Sequence, residues 1–181
     1  MLAFLKNILQ LILNPKNGWE ELSYEAPDPD VLCAKGMYPL MGLAALSAFV
    51  QGCYAMTFDL GALLQLAVAQ FVSLMATFFI AVALFDTYIS RFSREDVSSS
   101  KMRIVALFVV SMLSIIQIIE NLVPVALTIV QFLPAFAAII LWQARAYLKI
   151  DMEKEGGYIV FAIGTTIIPW FVIKTILTFV L

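Results

Sequence analysis

Long apolar runs separated by short charged stretches set the pattern of this chain. Five blocks stand out: Met37 to Tyr54, Leu60 to Phe85, Met102 to Ile119, Val123 to Tyr147 and Tyr158 to Leu181. Each approaches or exceeds the roughly 18 to 20 apolar residues that cross a hydrocarbon core of about 30 Å as a helix. An earlier run, Leu2 to Leu13, is different. Lys6, Asn7, Gln10 and Asn14 fall on one narrow face at helical spacing, and about 13 residues give only some 20 Å of helix. The pattern predicts an amphipathic helix lying at the membrane interface, ended by Pro15 and the Lys16-Asn17-Gly18-Trp19 stretch. Between Glu20 and Lys35, five acids and the prolines Pro27 and Pro29 oppose a continuous helix and suggest an acidic surface segment. The fold class expected is therefore all-α: a polytopic membrane protein with a five-helix transmembrane bundle. Residues 1–36 form the cytoplasmic and interfacial N-terminal segment, and residues 37–181 the transmembrane domain. Pro134 and Pro169, near the middle of the fourth and fifth blocks, are expected to kink their helices.

Composition agrees with a lipid solvent. Of the 181 residues 62% are hydrophobic and the mean hydropathy is +0.96, against about 45 to 50% apolar residues in soluble domains. The first residues lack a basic n-region and an A-x-A-like site, so they read as part of the mature chain and not as a cleaved signal. Cys33 and Cys53 flank the first block, about 30 Å apart along a helix, too far for a disulfide with each other. Histidine is absent, which removes the commonest general base, proton shuttle and zinc ligand. No cofactor or metal is expected, and nucleic acid is not an expected partner.

Charge placement sets the orientation. Lys6, Lys16 and Lys35 precede the first block, Arg91, Arg94, Lys101 and Arg103 lie around the second-to-third loop, and Arg145, Lys149 and Lys154 around the fourth-to-fifth. The turns near Thr57 to Asp59 and Glu120 to Val123 carry no Lys or Arg. The positive-inside rule then gives a cytoplasmic N-terminus and an extracytoplasmic C-terminus, in the plasma (inner) membrane if the chain is bacterial. Asp86, Trp142, Tyr147 and Tyr158 fall at the basic boundary and read as interface anchors, with Trp19 doing the same for the N-terminal segment. Ser98 to Ser100 reads as flexible loop.

Polar residues inside the blocks are the candidates for chemistry. Gln70, Ser73 and Thr77 share a face of the second block; Ser111, Ser114, Gln117 and Asn121 share a face of the third. Interhelical hydrogen bonding is the favoured reading, and a polar path for a small solute or ion is the alternative. Glu120 and Lys174 each lie 16 residues beyond the basic start of their helices, Ile104 and Tyr158, hence at one depth, roughly 24 Å up. They either pair across the third and fifth spans or, as the simpler account has it, Lys174 snorkels to the headgroups and Glu120 serves the turn before Asn121 and Pro124. An acid and an amine alone define no reaction, so an enzyme is not expected.

The order of features resembles small bacterial members of the Yip family of Rab-GTPase-interacting membrane proteins. An apolar N-terminal helix precedes Asn14-Pro15-Lys16-Asn17-Gly18-Trp19-Glu20, five spans follow, and a basic loop succeeds the second. Gly157-Tyr158 matches the family's Gly-Tyr motif; Asp59-Leu60-Gly61 lacks the proline of its Asp-Leu-x-Gly-Pro motif and sits at the other end of the bundle. The resemblance implies a non-enzymatic membrane scaffold or adaptor, with the lipid bilayer as surroundings and a protein partner docking on the N-terminal acidic segment. A small oligomeric channel or transporter, built from copies of this chain, is the alternative.

Overall fold

The structure, a computed structural model, describes residues 2–54, 59–123 and 132–180. These are helical throughout, apart from short connections and one isolated bridge between Ser93 and Ile150. Helix α1 is Leu2–Leu13 and α2 is Pro15–Glu25. A continuous helical run, Pro29–Gln51, forms α3. Helix α4 is Leu60–Tyr88, α5 Ser99–Leu122, α6 Pro134–Tyr147 and α7 Glu155–Val180. Four of them, α3, α4, α5 and α7, are long and apolar enough to cross a membrane. Of the expected fourth span, Val123 to Tyr147, residues 124–131 lie outside the described residues, as does Thr57. What is described there is α6, 14 residues long. Pro134 opens this helix instead of kinking one, because the first helical position needs no N–H donor. Pro169 does lie inside α7.

The segment expected as irregular acidic surface is mostly helical. Asn14 caps α2 by accepting from the Asn17 backbone N–H at 3.3 Å, with Pro15 in the first turn. Asp28 caps α3 in the same way, accepting from Asp30 N–H at 2.9 Å, with Pro29 as its first residue. Pro27 lies in the break between α2 and α3 as expected, whereas Pro29 marks a helix start, so the boundary placed after residue 36 falls inside the helical run Pro29–Gln51. Pro39 then sits within α3, where it lacks an N–H and its ring crowds the carbonyl four residues back. The helix absorbs this by widening: Cys33–Met37 is a π turn in which the Tyr38 N–H donates to the Cys33 carbonyl.

α5 is the hub. From Ile104 to Ser114 it is buried without a break, on every side, because α1, α3, α4, α6 and α7 pack around it. The ends of the helices sort into two groups. At one end Asp30 meets Arg103 at 2.5 Å, and Asp86 accepts from the Ser99 hydroxyl at 2.7 Å. There the α4–α5 and α6–α7 connections also join, through Arg94 N–H to Lys149 O at 3.0 Å and Asp151 N–H to Phe92 O at 2.9 Å. At the other end Tyr54 reaches the Leu122 carbonyl and Lys174 reaches Glu120. The expected basic segments are thus gathered at one end. Ser98 to Ser100 is the start of α5, not a loop.

α1 does not lie free at an interface. Its Phe4, Ile8 and Leu11 are buried in the same core as α5, with Phe4 stacked on Phe108 at 5.6 Å. Gly36 makes room for it: a Cβ there would fall 2.3 Å from the Phe4 ring. Replacing Gly36 by Ala is expected to cost about 1–3 kcal/mol by overpacking, and Phe4→Leu should recover most of it. Reversible unfolding of the purified protein measures both; an unchanged stability in Gly36→Ala would mean that α1 is not seated against α3.

Candidate functional site

Asn121 on α5 is the centre of a buried polar cluster, and every strand of it comes from a helix that packs on α5. Its Nδ2 donates to Ser47 Oγ at 2.8 Å and to Gln70 Oε1 at 2.9 Å, with the Ala44 carbonyl at 3.4 Å. Its Oδ1 accepts from Gln51 at 2.7 Å, from Gln70 at 3.0 Å and from Gln117 at 3.4 Å. Gln117 also donates to Glu120 at 3.2 Å, and Glu120 accepts from Lys174 Nζ at 2.6 Å. A chain of contacts so runs from α3 through α4 and α5 to α7. The pairing of Glu120 with Lys174 is the geometry adopted. Both side chains are between a fifth and a quarter exposed, and the ammonium lies 5.0 Å over the Trp170 ring.

The remaining stripe residues do something different. Ser73 donates to the Gln70 carbonyl at 2.9 Å and Thr77 to Ser73 O at 2.7 Å, while Ser111 and Ser114 donate to Leu107 O and Val110 O. Each hydroxyl is satisfied within its own helix, and all four residues are fully buried. The two faces point inward as expected, but only Gln70, Gln117 and Asn121 reach across. Ser47 and Gln51 on α3 belong to the cluster and are not among the residues singled out by sequence, although their spacing of four puts them on one helix face by the same rule. Three donors converge on Asn121 Oδ1, and the Gln117 amide turns its nitrogen that way. As a result Gln117 Oε1, like Trp170 Nε1, has no partner among the described residues.

A second set of non-local ties holds α2. Trp19 is buried, its indole N–H donates to the Ile140 carbonyl at 3.0 Å, and its ring packs edge-on to Phe108 at 6.1 Å. Gly18 permits this, since a Cβ there would lie 2.9 Å from a Leu11 methyl. Trp19 is a core residue, not an interface anchor, and so is Tyr158, whose hydroxyl donates to Leu141 O at 3.0 Å. Trp142 carries the Arg145 guanidinium 4.5 Å over its ring. Outside the spans, hydrogen bonding to Lys149 holds the exposed Glu95 carboxyl below its ordinary pKa, and Arg94 does the same for Asp151. Cys33 and Cys53 are both free.

Comparison with protein-family models, with curated proteins and with solved structures finds no match to this chain.

The division within the stripes sets measurable costs. Asn121→Leu strands the amides of Gln70 and Gln51 and is expected to lose about 1–3 kcal/mol, whereas Ser111→Ala and Ser114→Ala should each lose no more than about 0.6 kcal/mol. Equal losses at the three positions in an unfolding titration would contradict the hub. For the ion pair, Glu120→Lys or Lys174→Glu alone should destabilise by about 1–3 kcal/mol, between exposed and buried pairs, and the double exchange should restore most of it. Tolerance of each single reversal would show that the pair contributes nothing.

Proposed function

We propose that the chain is a non-enzymatic membrane scaffold or adaptor of the Yip type, crossing the plasma (inner) membrane five times with its basic end in the cytoplasm. Two observations support the five crossings and the orientation. α5 ends beside Lys174 and Tyr54, away from the basic end. α6 ends back at the basic end, where Lys101 lies over the Tyr147 ring at 5.3 Å. The chain therefore returns between Leu122 and Tyr147. With the basic residues cytoplasmic, α7 then carries the C-terminus to the outside.

One observation carries the adaptor reading: α2 is fixed to the bundle by its buried face while its opposite face is polar and open. Trp19 and Leu22 are buried, and Tyr24 is 81% exposed beside Glu25 and Asp28. Neither acid makes an ion pair with another described residue. The end of this helix so presents an exposed aromatic ring next to Glu25, with Asp28 exposed three residues further on, a composition that suits a basic segment of a protein partner. The channel alternative draws less support. The hydroxyls between α4 and α5 donate to their own backbones and the amides are drawn into the Asn121 cluster, so little polar lining is left for a solute.

A photo-crosslinker at Tyr24 in native membranes tests the proposal. A defined partner is expected to be trapped, and Glu25→Gln with Asp28→Asn should reduce its yield at least about tenfold, since two lost charge contacts are worth about 1.4 kcal/mol or more together. Ion or solute flux through reconstituted vesicles, abolished by substituting Gln70 and Gln117, would replace the adaptor with the channel.

A further inference from the structure

Between α2 and α6, at the basic end, a cleft of about 430 Å³ opens to the surface, within the range of small-ligand sites. Its polar lining is Lys16, Glu20 and Ser23 from α2, with Gln143 and Arg145 from α6. The formal charge of that lining is +1. Lys16 is exposed and forms no ion pair with another described residue. Arg145 commits Nε to Glu155 and Nη1 to the Trp142 carbonyl, which leaves further N–H donors of its five free. With Arg145 shared with Glu155, Lys16 is the cation of this lining without an ion pair among the described residues, and one monoanionic phosphodiester suits it, with the remaining guanidinium N–H groups as further donors. The Glu20 carboxylate then remains as an acceptor for an O–H or N–H beyond the phosphate.

An apolar column precedes Gln143 of the cleft on the same face of α6. Ile139 and Phe136 lie one and two turns before Gln143 on α6, at spacings of four and three, and are 48% and 42% exposed. A ligand seated at Gln143 would leave along that column toward the interior of the bundle's lipid-facing side. Polar mouth, single compensating charge and apolar exit together describe an amphiphile.

We infer that the α2–α6 cleft is a binding site for a glycerophospholipid whose headgroup joins a phosphodiester to a hydrogen-bond donor, glycerol or ethanolamine, with its acyl chains along Phe136 and Ile139. Phosphatidylcholine shares the phosphate but lacks the donor, so Glu20 discriminates against it. The lining of this site does not include Tyr24, Glu25 or Asp28, so the two proposals are tested by different variants and either can fail alone.

The test is native mass spectrometry and thermal unfolding of the full chain in detergent, with phosphatidylglycerol, phosphatidylethanolamine or phosphatidylcholine added. Expected are retained lipid adducts and a raised Tm with the first two. Lys16→Ala should weaken their apparent affinity about fivefold and Lys16→Glu about thirtyfold, one and two charge units near the headgroup. Glu20→Gln should bring phosphatidylcholine level with the others while keeping phosphate binding. Lys16 is exposed, so these variants are expected to fold, and their helix content by circular dichroism checks it. Equal effects of all three lipids on the unaltered chain, or undiminished binding in Lys16→Glu, would overturn the assignment. The same Tm rise from inorganic phosphate or glycerol phosphate would overturn the lipid in favour of a soluble phosphate.

Discussion

A polar group enclosed in a bilayer-spanning bundle has no water to turn to, and the arrangement of this protein follows from that constraint. α5 is surrounded on all sides, so Ser111, Ser114, Gln117 and Asn121 must find partners within the bundle. Hydroxyls solve the problem locally, bending back to a carbonyl three or four residues earlier, as all four serines and threonines of the two stripes do. Amides cannot, because each carries two donors and an acceptor. Asn121 and Gln70 therefore need each other, and they bring Ser47 and Gln51 with them. The packing angles of α3 and α4 on α5 are fixed by these amides at a point where apolar packing alone leaves the rotation of a helix weakly defined.

The N-terminal hairpin obeys the same accounting by another route. The Asn14 to Glu20 stretch divides its work residue by residue. Asn14 supplies the cap, Pro15 the first turn, Gly18 the close approach to α1 and Trp19 the long-range tie to Ile140. A stretch that joined two helices only flexibly would need none of these. Their combination seats α1 and α2 in the core of the bundle, and leaves the other face of α2 to whatever meets it.

The four long helices were legible in the sequence because crossing a membrane demands long apolar runs, whereas α2, polar and read as irregular, was not; the inward faces were legible because helical spacing puts Gln70, Ser73 and Thr77 together. The depth of Glu120 and Lys174 was also readable, from equal counts along two spans that run in the same direction from the basic end. Whether they pair was not, since snorkelling satisfies the same count, and only the lateral position of α7 decides it. Pro29 misled for a different reason. A proline excludes a donor at one position, and whether that ends a helix depends on the cap before it and on the freedom of the preceding turn to widen, as Asp28 and the Cys33–Met37 turn do here. Trp19 read as an anchor because nothing near it in sequence indicates that Ile140 is its neighbour.

The two ends of the bundle are consequently built from different chemistry. The Asn121 end is tied mainly by neutral amides, buried and fixed in geometry, with one half-buried ion pair. The basic end is tied by exposed pairs such as Arg94 with Asp151 and Lys149 with Glu95, which contribute little because water screens them and which weaken with salt. Backbone bonds between the two connections hold them together in any case. A surface stabilised so lightly by its charges can exchange them for those of a ligand or partner at little cost, whereas opening the Asn121 cluster strands several buried amides at once. The two proposed recognition surfaces, the cleft and the open face of α2, both lie at this more readily exchanged end.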